Sequence, residues 1–137
     1  MTRFVDTNVL IYAACTDPED KIKREQARTL LLNDDLALST QVLQEFYWQA
    51  THTRRVGRIS HDDARGHILD LRRFAIVPVT LDVVDRALDL TQRYQIAYWD
   101  AAILAAAGLS ECDTLLTEDL SDGQVYNGVR VADPFGA

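Results

Sequence analysis

The chain has 137 residues, 47% hydrophobic and 26% charged, which suits one folded domain large enough to bury a core. No apolar run reaches the length of a membrane span, and Asp6 falls too early for a signal-peptide core, so a cytoplasmic protein is expected. The net charge of −7 argues at first against a nucleic-acid partner, yet residues 51–79 carry six arginines against three aspartates while residues 80–137 carry three arginines against ten acids.

"RFVDTNVLIYAA" starts as a short apolar strand and turns helical after Thr7 or Asn8, either of which suits a cap. "DPEDKIKREQARTLLLN" reads as a helix, with Pro18 near its start and Ala27, Leu30 and Leu31 on one face. "LALS" is a short strand. "TQVLQEFYWQATH" is a helix, with Leu43, Phe46, Tyr47 and Ala50 at i, i+3, i+4 and i+7. "SHDDARGHILDLRRF" gives another, with Ala64, Ile68 and Leu71 inward. Ser60 serves as its N-cap and Asp63 completes an S-x-x-D box, which is preferred to a metal site on His61, Asp62, Asp63 and His67.

"AIVPVT" is a strand whose proline suits an edge or a strand end. "LDVVDRALDLTQRY" follows as an amphipathic helix, with Val84, Ala87, Leu88 and Thr91 sharing a face. Residues 98–107 form an alanine-rich helix closed by Gly108, and "DTLLT" and "GVRVAD" are the last strands. Cys15 and Cys112 lie far apart and read as small buried hydrophobes in a reducing compartment. Strands alternating with helices across short gaps predict an α/β fold with a parallel sheet covered on both faces.

In such sheets the working crevice lies beyond the carboxyl ends of the strands. Asp6 directly follows the first strand, and Glu45 sits just over one turn into the helix after "LALS". Asp119 follows "TLLT", and Asp100 lies in the first turn of the helix before that strand. Taken singly, each has an ordinary reading as a turn, cap or surface acid, as Glu118 and Asp122 do. Together the four attach to one edge of one sheet. Carboxylates meeting at low dielectric repel unless a cation joins them, and oxygen ligands without histidine or thiolate select Mg²⁺ or Mn²⁺. Two such ions would bring the −7 to about −3, and the acidic composition then no longer excludes a nucleic acid.

"FVDTNVLIY", "STQVLQEFYW", "YWDAAILAAA" and "LLTEDLSDGQ" resemble, in order and spacing, the four acidic motifs of PIN-domain nucleases. The nearest likeness is to VapC-type toxins of bacterial toxin–antitoxin pairs, and it spans essentially the whole chain. It implies a single domain over 1–137, an α/β/α sandwich with a central, mostly parallel sheet of four or five strands. It also implies an Mg²⁺- or Mn²⁺-dependent endoribonuclease that is a homodimer silenced by a cognate antitoxin.

On that resemblance Asp6, Asp100 and Asp119 match metal ligands, and Glu45 matches the helix acid that contacts a metal directly or through water. Thr7, Asn8 and Thr117 match supporting polar positions, and Asp122 an acid near the fourth motif. Water activated by the metal would cleave the phosphodiester to a 5′-phosphate and a 3′-hydroxyl. Arg54, Arg55 and Arg58 head the basic segment, which runs on through Arg65, Arg72 and Arg73, and are the candidates for RNA-backbone contact.

Three alternatives stand beside this reading. A receiver or haloacid-dehalogenase-like phosphoryl-transfer domain needs a lysine late in the chain, whereas the only lysines, Lys21 and Lys23, are early and in a solvated helix. A non-catalytic RNA- or protein-binding module is opposed by the intact acids. A housekeeping RNA-maturation nuclease keeps the chemistry and changes the biology.

Overall fold

The computed structural model describes residues 2–136. Six strands form one sheet: β1 (Arg3–Val5), β2 (Leu36–Ser39), β3 (Ala75–Val77), β4 (Thr114–Leu116), β5 (Val125–Tyr126) and β6 (Val129–Ala132). Their order is β3-β2-β1-β4-β6-β5, parallel throughout except for β5, which pairs antiparallel with β6. The sheet exceeds the expected four or five strands. The extra one is β5, two residues long and therefore too short to carry a periodicity. A two-residue loop, Asn127–Gly128, joins it to β6 with φ of 48° and 87°, the mirror-type turn that tight hairpins favour.

Six helices surround the sheet: α1 (Thr7–Ala14), α2 (Lys21–Leu30), α3 (Thr40–Thr51), α4 (His61–Leu71), α5 (Leu81–Tyr94) and α6 (Tyr98–Leu109). α1 packs on α2 and α3, and α3 on α4, while α5 and α6 form a separate pair. All four residues of β2 are buried; successive strand side chains point to opposite faces, so both faces of the sheet are covered. Phe4, Leu38, Leu104 and Leu115 anchor the core. Among the described residues no helix is long and apolar enough to cross a membrane.

Several local expectations hold. Ser60 Oγ accepts from the Asp63 amide at 3.1 Å and starts α4. β3 is an edge strand, and Pro78 follows its end. Both cysteines are free and buried.

Others need correction. Asp6, not Thr7 or Asn8, caps α1: its carboxylate accepts from the Thr7 amide at 2.7 Å. Gly108 does not close α6, which runs on to Leu109. The buried face of α5 is Val83, Ala87 and Leu90, with Leu88 turned to solvent, one step around the helix from the expected face. Tyr47 likewise lies outside the buried face of α3.

Candidate active site

β1 and β4 are neighbours at the point where successive connections run in opposite directions, the place beyond the carboxyl ends where open α/β sheets build their sites. Asp6 leaves β1 at this point, its amide bonded to the Leu116 carbonyl of β4 at 3.1 Å. Thr117 leaves β4 beside it and is fully buried. Its hydroxyl donates to Asp6 Oδ2 at 2.8 Å and accepts from Asn8 Nδ2 at 2.8 Å and from the Asp119 amide at 3.1 Å. Asn8 Nδ2 also reaches Asp119 Oδ2 at 3.1 Å.

On the other side, Thr7 Oγ1 donates to Glu45 Oε1 at 3.2 Å, and Gln41 Nε2 lies 3.4 Å from the same oxygen. Glu45, Thr7, Asp6, Thr117, Asn8 and Asp119 thus form one continuous chain of contacts. Asp100 joins it through charge, repelled by Asp119 and repelling Glu45.

Burial dominates the electrostatics. Asp6 is only 7% exposed, and desolvation pushes its carboxyl up to about 6 despite the donors Thr117 and Thr7. The nearby Asp119 and Glu45 charges push the same way. Glu45 is raised first by burial, then by Asp100 and Asp119; Asp100 is raised by burial and by Asp119. Three carboxyls that resist ionisation at one site are what a cation would relieve.

Among the described residues no three His, Cys, Asp or Glu side chains already form a group placed to hold an ion. The chemistry of the donors nonetheless fits a hard divalent ion. All are oxygen, and Asn8 Oδ1 is a buried acceptor with no hydrogen-bond partner. Its orientation follows from the network: Thr117 spends its own proton on Asp6, so Asn8 must present its NH₂ group and leave its oxygen bare.

Two contributors lay outside the sequence reading. Gln41 donates toward both Glu45 and the Trp99 carbonyl, the latter at 3.3 Å; its place one turn before Glu45 was the available signal. Glu118, read as an ordinary loop acid, accepts from Lys23 at 2.8 Å and from the Tyr12 hydroxyl at 2.5 Å. Lys23 is therefore not simply solvated: it ties α2 to the loop that carries Asp119. Asp122 caps the Asp133 amide at 2.9 Å. Arg54 is exposed, Arg55 is held by the Gln49 carbonyl at 2.7 Å, and Arg58 reaches the Thr53 carbonyl at 3.4 Å. Arg73 donates to the Leu31 carbonyl at 2.8 Å and lies over the Phe74 ring.

Comparison with solved structures finds the same fold repeatedly. A chain of a toxin–antitoxin complex from Klebsiella pneumoniae is 24% identical, with 99% of this chain and 100% of that one covered and a TM-score of 0.72. VapC20 from Mycobacterium tuberculosis, a sarcin–ricin-loop-cleaving toxin, is 20% identical over 86% of this chain and 92% of its own, at a TM-score of 0.67. A chain of DNA-bound VapBC from Salmonella typhimurium is 18% identical over 98% of each, at 0.70. No curated protein matches the sequence. The PIN-domain family profile matches residues 3–121, a span that holds all four acids, and the chain belongs to the PIN-domain family.

Proposed function

We propose that this PIN domain is an Mg²⁺- or Mn²⁺-dependent endoribonuclease and the toxin of a toxin–antitoxin pair. The observation that carries the nuclease reading is the linkage of Asp6, Glu45 and Asp119 through Thr7, Thr117 and Asn8, with Asp100 coupled by charge. Asp6, Asp100 and Asp119 are the residues to hold the metal, with Glu45 contacting it directly or through water. When bound, a divalent ion supplies an activated water and offsets charge on the phosphate during in-line displacement. Thr117 and the Thr7 amide orient Asp6, Asn8 steadies Asp119, and Thr7 with Gln41 aims Glu45. Attack by water on phosphorus, with the P–O3′ bond breaking and O3′ leaving, gives a 5′-phosphate and a 3′-hydroxyl.

The toxin reading draws on the likeness in fold to chains from toxin–antitoxin complexes. It carries with it a cytoplasmic homodimer and a cognate antitoxin. Labelled RNA incubated with Mg²⁺ or Mn²⁺ tests the chemistry: cleavage should vanish in EDTA and in Asp6→Ala, and the fragments should bear 5′-phosphates. Cleavage retained by Asp6→Ala would overturn it. Growth arrest on induction, relieved by the product of a neighbouring small reading frame, tests the toxin role; its absence would favour a housekeeping nuclease.

A further inference from the structure

Toward the C-terminal end of α3, the helix that carries Glu45, lies a cleft of about 370 Å³, within the ~300–1,000 Å³ of ligand sites, lined by Trp48, His52, Arg54 and Arg55 with Gln49, Val56 and Asp17. Gln41, Glu45, Trp48 and His52 fall at i, i+4, i+7 and i+11, one stripe along α3 and its C-cap. At ~1.5 Å per residue, Trp48 stands about 4.5 Å and His52 about 10 Å along the axis from Glu45. Trp48 is 64% exposed, an uncommon setting for an indole, and its ring lies 4.6 Å from that of His52. The Arg54 amide fixes the His52 ring through Nδ1 at 3.2 Å.

The loop that lines the cleft is seated through its backbone. Gly57, at φ +76°, lets the loop after α3 lie against Thr16 and Asp17, and the Thr16 amide bonds the Gly57 carbonyl at 2.9 Å. Asp17, the acid of the lining, is turned to the Glu19 amide at 3.0 Å. Arg55 spends Nε and Nη2 on Gln49, leaving Nη1 free to donate, and Arg54 is exposed.

We propose that this cleft takes an unpaired nucleotide of an RNA strand that runs along α3 from the acids, its base stacked on Trp48 and its phosphate held by Arg54 and Arg55. The proposal rests on the nuclease reading and adds to it a base-stacking subsite that Trp48 provides. An indole can stack only on a base whose face is free, and a base paired within a helix has none to offer. Stacking beside cations suits a polyanion with π faces, and it is sequence-tolerant.

The chain has two tryptophans, so Trp99→Phe leaves Trp48 as the sole indole reporter. In EDTA, a short oligouridine should quench its emission to saturation, while an abasic strand of equal length and an RNA duplex should not. In the otherwise unaltered chain, Trp48→Ala should weaken oligouridine binding about tenfold, and Trp48→Phe should restore most of it. Arg54→Gln should flatten the salt dependence by about 0.7 in log–log slope. Absence of quenching, or wild-type affinity in Trp48→Ala, overturns the subsite. So does a Trp48 emission change on raising protein concentration without RNA, which would assign the cleft to a second copy. Mg²⁺-dependent cleavage with unchanged KM in Trp48→Ala would sink the subsite and leave the nuclease standing. Quenching without any cleavage by wild type would sink the nuclease reading instead.

Discussion

The Thr117 hydroxyl donates to the Asp6 carboxylate at 2.8 Å across 111 positions of sequence, and so ties the end of β4 to the end of β1. The same oxygen accepts from Asn8 and from the Asp119 amide. Removing it takes the donor from Asp6 Oδ2 and the acceptor from the Asp119 amide, and leaves Asn8 Nδ2 only Asp119 to bond. Thr117→Val, nearly isosteric, should lower stability by about 1–3 kcal/mol. It should also weaken Mg²⁺ binding by about 10–100-fold, the usual cost of losing a group that orients a ligand. Chemical denaturation and metal titration by calorimetry measure the two effects, and Thr117→Ser should recover both. Unchanged metal affinity in the valine variant would reduce Thr117 to a packing residue.

The Asp6 carboxyl is pushed up to about 6 in the folded chain, against ~3.9 in an unfolded one. Between those values the folded state binds the extra proton. Stability without metal should therefore fall as pH rises from about 4 to about 6, then level off, by at most about 3 kcal/mol. Burial raises Glu45 and Asp100 in the same direction and steepens the slope. Mg²⁺ competes with that proton, so its affinity should rise across the same window and recover the lost stability. Thermal melts across this range in EDTA and in Mg²⁺ read both. A metal-free protein that gains stability from pH 5 to pH 7 would contradict the electrostatic account of the site.

Asp100 presents the same conflict at the start of α6, ahead of the buried run Ala101–Ala107. Its carboxyl is raised by burial and by Asp119, yet it is partly open to water, so screening limits the penalty. Asp100→Asn should raise metal-free stability by no more than about 1 kcal/mol while abolishing cleavage. A destabilised metal-free variant would mean that Asp100 is tolerated for its first-turn interaction with the helix dipole rather than for a cation.

Asp6, Asp119 and Asp100 could be placed in the fold because strand ends and helix first turns leave local marks: an apolar triplet, a polar break, a capping residue; Glu45 could be placed by its count from the start of α3. Their linkage was not legible, since Thr117–Asp6 and Lys23–Glu118 are contacts between distant segments and no periodicity records them. Lys23 looked solvated because α2 is polar nearly all round, with only Ala27 buried. The α5 face was misplaced because Val83 and Val84, Ala87 and Leu88 offer two apolar stripes one residue apart. Packing against α6 selects the one that buries Val83, Ala87 and Leu90. β5 escaped because its only signal is the Asn127–Gly128 turn, not its two strand residues.

Gly57 lets the loop that lines the cleft press against Thr16 and Asp17, and its replacement separates two costs. A Cβ there would lie 2.2 Å from the Asp17 amide nitrogen and 2.8 Å from both Asp17 Cα and the Thr16 carbonyl carbon. All three are backbone atoms, which cannot swing aside. Gly123 also has positive φ, at +84°, but a Cβ there would meet nothing within 4 Å. Gly123→Ala should therefore cost only the left-handed backbone penalty, about 1–2 kcal/mol. Gly57→Ala should add overpacking of about 1–3 kcal/mol, a melting temperature several degrees below that of Gly123→Ala. It should also loosen the loop carrying Arg54 and Arg55, so oligouridine binding should weaken even where the chain remains folded. Equal losses in the two variants would mean that the loop yields freely at Thr16 and Asp17, and that this contact does not seat it.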